Sequence, residues 1–428
     1  MAMPSLSRNG EPGIRSLLRA LIFLFLLGAS LPLKAQIDPY LARAKRVLSQ
    51  TPLIDGHNDL PWRIREDSIA RGNVDKYDLR KTTPGMTDLA RLKTGMIGAQ
   101  FWAVYTPGEY SDSGYARVQL EQIDIAHRII EKYPDRFELA LTSKDIRRIF
   151  KEGKIGSLLG LEGGHGIENS LGALRSYYGL GARYLTLTHN VTLDWADAAL
   201  DSAKHQGLTP FGDSVVREMN RLGMLVDLSH VSPATMSDAL NVTQAPVMFS
   251  HSGARALVDV PRNVPDSILR RVTTNGGIVM VPFVTGFVSS AIALYEQSMR
   301  PTITDLRKQY GDDTVAIKRT IDEWRAAHPA PHATLAQVAD QIDYVRKVAG
   351  VDHVGIGADF DGITEVVQGL EDVSKYPALF AELARRGWSD AGLKKLAGEN
   401  LLRVFAQAEA VSARLKKESR VAPGGAAR

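Results

Sequence analysis

The sequence contains no cysteine in 428 residues. This absence excludes disulfides, thiolate metal ligands, a cysteine nucleophile and acylation on cysteine. Any metal ion must therefore be bound by His, Asp or Glu side chains. A chain of this length can bury a core large enough to fold without disulfides.

Long basic runs are also absent, and the main apolar stretch lies near the N-terminus. Leu21–Leu27 follows Arg15 and Arg19 and precedes a small residue, a pattern typical of a secretory signal peptide. We expect residues 1–35 to be this signal peptide, with the mature chain starting at about Gln36; an uncleaved anchor is the alternative. The segment carries four basic residues and one acidic residue, so its removal lowers the net charge from +4 to +1. Nucleic acid is therefore not an expected partner.

Short runs rich in Val, Ile and Leu recur through the rest of the chain, each followed by a polar cluster and then by helical spacing. There are eight: Leu53–Asp59, Met96–Tyr105, Ile155–Glu162, Tyr184–His189, Met224–His230, Pro246–His251, Gly277–Phe283 and Val354–Asp359. Continuous apolar runs are typical of strands covered on both faces of a parallel sheet. The alternation predicts an α/β fold, a (β/α)8 TIM-type barrel with helical insertions. A doubly wound open sheet is the alternative.

Helical patterns fill the intervals between these runs. They include Gly114–Lys132, Leu171–Gly179, Phe211–Leu222, Pro233–Leu240, Asp266–Thr274, Leu379–Arg386 and Gly398–Arg414. The longest interval, 284–353, has helical patterns at Thr302–Ala327 and Thr334–Ala349. It could form a lid, a subunit contact or a surface excursion, and the sequence does not distinguish these three. We expect residues 36–418 to form one metallohydrolase domain and residues 419–428 a flexible tail.

Metal-binding residue types stand at the ends of the predicted strands. They are His57 and Asp59 on the first, Glu162 on the third, His189 on the fourth, His230 on the fifth, His251 on the sixth and Asp359 on the eighth. The C-terminal strand ends of a (β/α)8 barrel meet at one face, where barrel enzymes have their active sites. Five of the ten histidines are therefore expected at one place.

So many ligands exceed the need of one tetrahedral ion and favour two ions about 3.5–4 Å apart, bridged by a carboxylate. Imidazole and carboxylate ligands suit zinc, with manganese, cobalt or iron as alternatives. Such a site lowers the pKa of a bound water to about 7 and polarises a carbonyl, while another group moves the proton. The predicted chemistry is hydrolysis of an amide or ester.

Seven segments in sequence order carry a more specific likeness. They are 55–62 (DGHNDLPW), 162–165 (EGGH), 184–190 (YLTLTHN), 227–232 (DLSHVS), 249–252 (FSHS), 262–265 (RNVP) and 357–362 (GADFDG). Together they resemble the membrane (renal-type) dipeptidase family of zinc peptidases, amidohydrolase-like metal-dependent hydrolases, from about residue 50 to 405. The resemblance implies that His57 and Asp59 bind one zinc ion, that His230 and His251 bind another, and that Glu162 bridges them.

Three further positions receive roles from the same resemblance. His189 would bind substrate, polarising the scissile carbonyl or holding the oxyanion, and Arg262 would bind the terminal carboxylate of the dipeptide. Asp359 would carry a proton from the bridging water to the leaving amine. Asp361 is the alternative for this role, and a surface position is the alternative for Arg262. His165 is an alternative ligand, although the adjacent glycines favour a structural role.

The aromatic residues Trp62, Tyr105 and Trp195 either line the substrate pocket or pack beneath its loops. The resulting hypothesis is a zinc-dependent dipeptidase that hydrolyses L,L-dipeptides and, by resemblance, L,D-dipeptides through a metal-bridging hydroxide, with opening of some β-lactams as a further implication. Another binuclear metal amidohydrolase, such as an N-acyl-amino-acid hydrolase or a lactonase, is the nearest alternative. A non-catalytic exported binding protein is the third.

The resemblance also implies a homodimer. Animal members of the family carry a C-terminal lipid anchor and can be linked by disulfides, but this chain lacks cysteine and ends without an apolar tail. We therefore expect an exported enzyme, periplasmic or secreted, without a stable membrane anchor after signal removal.

Overall fold

The computed structural model describes Met1 and residues 38–108, 114–311 and 313–421. Nearly all of the predicted signal peptide, residues 2–35, and most of the predicted tail, residues 422–428, lie outside this description. From Tyr40 onward the chain forms one compact unit. Among the helices in the described ranges, none combines the length and the apolar character needed to cross a membrane.

The described residues contain nine strands in one parallel sheet. They are β1 Leu53–Asn58, β2 Ile97–Tyr105, β3 Phe137–Leu139, β4 Ile155–Glu162, β5 Ala182–Thr186, β6 Leu225–Asp227, β7 Met248–Phe249, β8 Ile278–Val281 and β9 Val354–Ile356. The strand order is β2-β1-β9-β8-β7-β6-β5-β4, and pairing of β2 with β4 closes a ring of eight. β3 lies outside this ring, paired with the start of β4. The predicted (β/α)8 barrel is thus confirmed, and the open doubly wound sheet is excluded.

Helices surround the barrel. They are α1 Pro39–Leu48, α2 Leu60–Glu66, α3 Leu89–Thr94, α4 Tyr115–Lys132, α5 Ser143–Lys151, α6 Leu171–Gly179, α7 Pro210–Leu222, α8 Pro233–Val242, α9 Asp266–Asn275, α10 Thr285–Val288, α11 Ser290–Tyr310, α12 Thr314–Ala327, α13 Leu335–Ala349, α14 Tyr376–Arg385, α15 Asp390–Lys394 and α16 Asn400–Val421. Single turns of 3-10 helix lie at Gly164–Ile167 and Val351–His353, and a π-helical turn lies at Lys395–Glu399.

Local sequence determines where these helices begin and end, as α7 illustrates. The Thr209 side chain accepts a hydrogen bond from the Gly212 N–H at the start of the helix, and Pro210 occupies the first turn, where no N–H is needed. Gly223 ends the helix in the left-handed conformation, with φ of 89°, which a residue without a side chain adopts freely. The same logic places Ser232 and Pro233 at the start of α8.

The insertion between β8 and β9 differs from the predicted pattern. Helix α11 begins at Ser290, well before the helical pattern predicted from Thr302, and the chain then turns at Gly311, which has φ of 56°. The region predicted as Thr302–Ala327 is therefore the end of one helix and the whole of another.

The barrel interior is filled by apolar side chains from the N-terminal and middle parts of the strands. Ile54, Phe101 and Tyr184 belong to this cluster, and the rings of Phe101 and Tyr184 lie 5.0 Å apart. Leu401 and Phe405 of α16 pack into the same cluster. Because this end is closed by packing, the opposite rim of the barrel is the one that offers polar side chains to a ligand.

Candidate metal centre

A cavity of about 320 Å³ lies at the C-terminal rim of the barrel. Its lining includes seven of the residues proposed from the sequence: Asp59, Glu162, His189, His230, His251, Arg262 and Asp359. The eighth, His57, is fully buried directly beside them, with its Nε2 atom 3.3 Å from Glu162 Oε2. The fold therefore brings the entire predicted set together.

Strand register produces this convergence. The pairing of β2 with β4 runs from Ala99 opposite Gly156 to Tyr105 opposite Glu162, so the last residues of both strands reach the rim. At the other side of β1, the Asp359 N–H donates to the His57 carbonyl (3.1 Å). These backbone pairings fix the heights at which the side chains enter the cavity.

Glu162 lies between two groups of nitrogen atoms. Its Oε2 atom is 3.3 Å from His57 Nε2, while its Oε1 atom is 3.1 Å from His230 Nε2 and 3.6 Å from His251 Nε2. Burial alone would raise the pKa of Glu162, but the adjacent imidazole of His57 and the hydrogen bond with His230 hold this pKa well below its usual value. A carboxylate that offers each oxygen to a different ligand group has the arrangement of a bridge between two ions.

Three clusters of ligand atoms, each within 4.8 Å, emerge among the described residues: His57 with Glu162 and His251, Glu162 with His189 and His230, and His57 with Asp59 and Asp359. They share members, so they form one continuous centre. The grouping differs slightly from the sequence assignment, because His251 is also near His57 and because Asp359 is near the first pair. Histidine and carboxylate donors in this number suit zinc or a similar divalent ion.

The orientation of His251 is fixed by a chain of hydrogen bonds. The buried Asp227 carboxylate accepts hydrogen bonds from the hydroxyls of Thr186 and Ser250, each at 2.6 Å. Because the Ser250 hydroxyl donates its only proton to Asp227, its oxygen is left to accept from His251 Nδ1, 2.8 Å away. The proton of His251 is thereby placed on Nδ1, and the Nε2 lone pair faces the cavity.

His230 is oriented in a similar way by Asn190. The Asn190 Oδ1 atom lies 3.1 Å from His230 Nδ1 and accepts a hydrogen bond from its N–H. The Nε2 atoms of His230 and His251 are only 2.9 Å apart, so their two lone pairs lie close together at the cavity surface. Burial, followed by nearby positive charges, lowers the pKa of both imidazoles well below its usual value, which disfavours a proton between them. This arrangement fits a cation that both nitrogens bind.

The chain turns sharply where it leaves β6 and β9. His230, Asp359 and Asp361 have φ of 68°, 68° and 66°, in the left-handed region that non-glycine residues rarely occupy. The turn after β9 also requires Gly357, because a Cβ atom there would lie 1.7 Å from the Ser250 carbonyl oxygen. The backbone is thus held in an uncommon conformation at two residues that line the cavity, His230 and Asp359, and at the neighbouring Asp361.

Arg262 forms the cationic wall of the cavity. Its side chain is buried at 3% exposure, its guanidinium lies 5.2 Å from the Phe287 ring centre, and its Nη1 atom has no hydrogen-bond partner among the described residues. Burial lowers the pKa of Arg262 to about 10, so the group stays charged at neutral pH. The alternative of a surface position is wrong. A buried cation with an unused donor is suited to a carboxylate ligand.

The alternatives for the proton carrier and the extra ligand lie away from the cavity lining. The Oδ1 atom of Asp361 accepts the Met86 N–H at 2.7 Å, which ties a neighbouring loop to the turn after β9. The Nε2 atom of His165 lies 2.6 Å from the Thr106 carbonyl oxygen, and His165 belongs to none of the three clusters of the described residues. Neither residue lines the cavity.

Of the three aromatic residues considered for the substrate pocket, two line the cavity and one does not. Trp62 and Tyr105 line the cavity with their rings edge to face at 4.9 Å, and Tyr105 lies 4.7 Å from the ring of His189. Trp195 is instead buried against Phe211.

Sequence reasoning missed the residues that hold the ligands. Tyr184, Asn190 and Ser250 stand within the segments singled out above, yet the sequence predicts no role for them. Tyr184 and Asn190 contact histidines that follow other strands, and Ser250 contacts its neighbour His251 while it donates to Asp227 of another strand. Tyr184 OH, for example, lies 2.9 Å from His57 Nδ1. Leu200 and Phe287 line the cavity with no signal in the sequence.

Comparison with known proteins adds an independent line of support. The sequence model of the membrane dipeptidases, peptidase family M19, matches residues 41–419. The probable dipeptidase PvdM from Pseudomonas aeruginosa is similar in structure, with a TM-score of 0.74, 26% sequence identity, and coverage of 87% of this chain and 99% of that one.

A metallopeptidase from Rhodobacter sphaeroides, solved with a phosphinate mimic of the dipeptide L-Ala-D-Ala, has a TM-score of 0.69, 24% identity, and coverage of 84% and 99%. The dipeptidase AC, a metallopeptidase of family M19, also has a TM-score of 0.69, with 24% identity and coverage of 84% and 98%. At this identity the two likenesses show the shared fold.

Proposed function

Because this chain belongs to the membrane dipeptidase family, it is a metal-dependent dipeptidase, and we propose that it cleaves L,L- and L,D-dipeptides with two bound zinc ions. The observation that carries the proposal is the pair of His230 and His251 Nε2 atoms 2.9 Å apart, both facing the carboxylate of Glu162. Cleavage of L,D-dipeptides is supported by the family resemblance and by the L-Ala-D-Ala mimic bound to the Rhodobacter sphaeroides enzyme.

The residues of the cavity fit two ions. We assign His57 and Asp59 to one, His230 and His251 to the other, and Glu162 to both. Zinc bound there would supply a hydroxide nucleophile near neutral pH and a Lewis acid for the peptide carbonyl.

The remaining polar residues handle charge and protons. His189 lines the cavity 3.9 Å from Glu162 Oε1, where its imidazole would donate a hydrogen bond to the carbonyl oxygen as negative charge develops. Asp359, with its Oδ1 atom 3.9 Å from His57 Nε2, would accept the proton of the nucleophile and deliver it to the leaving amine.

Substrate length would be set by Arg262. This residue follows β7, whereas Tyr105 ends β2, and these two strands are diametrically opposed in the ring of eight. A dipeptide whose carboxylate binds Arg262 would present its peptide bond to the centre and its amino end toward Trp62 and Tyr105. A cavity of about 320 Å³ is at the small end of ligand pockets, which favours a short substrate.

The experiment that tests this function is a hydrolysis assay on L,L- and L,D-dipeptides, a tripeptide and an N-acetylated dipeptide. Each is assayed with the purified protein, after chelation, and after zinc is restored. We expect cleavage of the free dipeptides only, lost on chelation and recovered with zinc. Cleavage of the acetylated substrate would indicate an N-acyl-amino-acid hydrolase or a related amidohydrolase, and inactivity across the zinc-loaded panel would indicate a binding protein.

Replacing Ser250 with Ala tests the orientation of His251. The variant removes the acceptor for Nδ1, so we expect zinc affinity to fall about 10- to 100-fold. Competition with a chromophoric chelator measures this directly. Ser252→Ala is the matched control, because the Ser252 hydroxyl contacts Ser229 at 3.2 Å. Equal zinc affinity in the two variants would contradict the role assigned to Ser250.

We also propose that the protein is exported to the periplasm or secreted and that it forms a homodimer. The signal-peptide pattern supports export and the family resemblance supports the dimer. Mass spectrometry of the protein purified from its own host is expected to give a chain starting at about Gln36. Light scattering on the same sample measures the mass of the assembly.

A further inference from the structure

A second cavity, of about 560 Å³, lies at the opposite end of the barrel. Its lining includes Ile97 and Ile155, the first residues of β2 and β4, whose last residues Tyr105 and Glu162 line the catalytic cavity. The two cavities therefore lie at opposite ends of the same two strands, one strand length apart. The volume of the second one is well within the range of sites for small organic ligands.

The floor of this cavity is apolar. Leu48, Ile97 and Ile155 are buried at its base, and the half-buried side chains of Met96 and Phe150 complete it. Met96 has φ of 60°, an uncommon conformation for a long unbranched residue. Such a surface favours a ligand that brings an apolar chain rather than a dipeptide.

The rim of the cavity carries charge of one sign. Lys93, Arg136, Lys151 and Lys154 line it, and none of its lining residues in the described part of the chain is acidic. Arg136 is 3.4 Å from Asp135, and Lys154 is 3.5 Å from Glu138, both outside the lining. Within the described ranges Lys93 and Lys151 form no ion pair, so two cations are available to an anionic group.

We propose that this cavity binds a single-chain anionic amphiphile, a long unbranched carboxylate whose chain lies on the apolar floor and whose head group lies between Lys93 and Lys151. The lining accounts for both parts of the ligand. The apolar floor would bind the chain, and the basic rim would bind the negatively charged head group. The site is separate from the catalytic centre, so it stands independently of the proposed function.

The test is calorimetric titration of the zinc-loaded protein with dodecanoate below its micellar concentration. We expect saturable binding of one molecule per chain. Decanoate should bind on the order of tenfold more weakly, because two fewer methylenes are buried. Dodecyl maltoside, with an uncharged head, should bind much more weakly than dodecanoate. Absence of saturable dodecanoate binding, or equal binding of the maltoside, would overturn the proposal.

Variants locate the site. The double variant Lys93→Ala with Lys151→Ala should weaken dodecanoate binding about 5- to 10-fold, whereas Lys144→Ala, an exposed lysine outside the lining, should not. Ser49→Trp should block the mouth of the cavity. Dipeptide hydrolysis should be unchanged in all three, which checks folding.

Carboxylates can also bind a zinc centre or Arg262, so a further control is needed. Arg262→Met should leave dodecanoate binding unchanged if the ligand occupies the second cavity. Loss of binding in Arg262→Met, together with unchanged binding in the double lysine variant, would place the ligand in the catalytic cavity and refute the proposal.

Discussion

Replacing Asp359 with Asn should lower kcat by about 10²- to 10⁴-fold while the bound zinc stays unchanged, because the variant removes the proton carrier and no ligand. Asn preserves the shape of the side chain and tolerates the left-handed backbone at this position, where φ is 68°. The loss of kcat should therefore come from the proton-transfer step and not from a change in folding. Rates under saturating dipeptide and zinc content by atomic emission measure the two quantities.

Asp361→Asn is the matched control. Asp361 has almost the same backbone conformation, with φ of 66°, but its carboxylate accepts the Met86 N–H outside the cavity lining. We expect its kcat to stay within severalfold of the parent enzyme. Zinc loss in Asp359→Asn would instead show that Asp359 is a ligand, since its Oδ1 atom is 3.9 Å from His57 Nε2. A larger kcat loss in Asp361→Asn would transfer the proton-carrying role to Asp361.

Replacing Arg262 with Met should lower kcat/KM for dipeptides on the order of 10²- to 10³-fold, since the carboxylate of the substrate loses a buried charged partner. Met keeps much of the volume and the contact with Phe287. The variant should unfold at the same temperature or a higher one, because a buried cation with an unused donor is removed. Thermal unfolding therefore separates the loss of substrate binding from a loss of stability.

A double cycle makes the Arg262 prediction specific. A dipeptide with an amidated C-terminus should be a poor substrate of the parent enzyme, and Arg262→Met should cost little further activity on it. If the substitution lowers kcat/KM equally for the free and amidated dipeptides, the carboxylate does not bind Arg262. The role of Arg262 as a gate for substrate length would then be wrong.

Much of the fold was predictable because buried parallel strands are continuous apolar runs. The exceptions have local causes. β3 has only three residues, Phe137–Leu139, too few to show a period. The run predicted as Met224–His230 ends as a strand at Asp227, although Leu228 is still buried. Burial continues through the turn there, so apolar character alone does not mark the end of pairing.

The candidate site was predictable as a set of residue types but not as a network. His57, His230 and His251 stand at strand ends, and strand ends in a barrel converge. Their partners do not follow this rule, because Asn190 reaches His230 across neighbouring strand ends and Asp227 reaches His251 only through Ser250. Such contacts depend on register and rotamer, which one sequence does not encode in any local pattern.

The left-handed turns at His230, Asp359 and Asp361 imply a trade-off between activity and stability. A residue with a Cβ atom carries strain in this region, less for Asp and His than for most side chains, and glycine would relieve that strain. Substitution by glycine at Asp359 should thus give a protein that resists heat at least as well as the active enzyme and does no chemistry. Selection for thermostability alone would therefore not preserve Asp359, although activity requires its carboxylate.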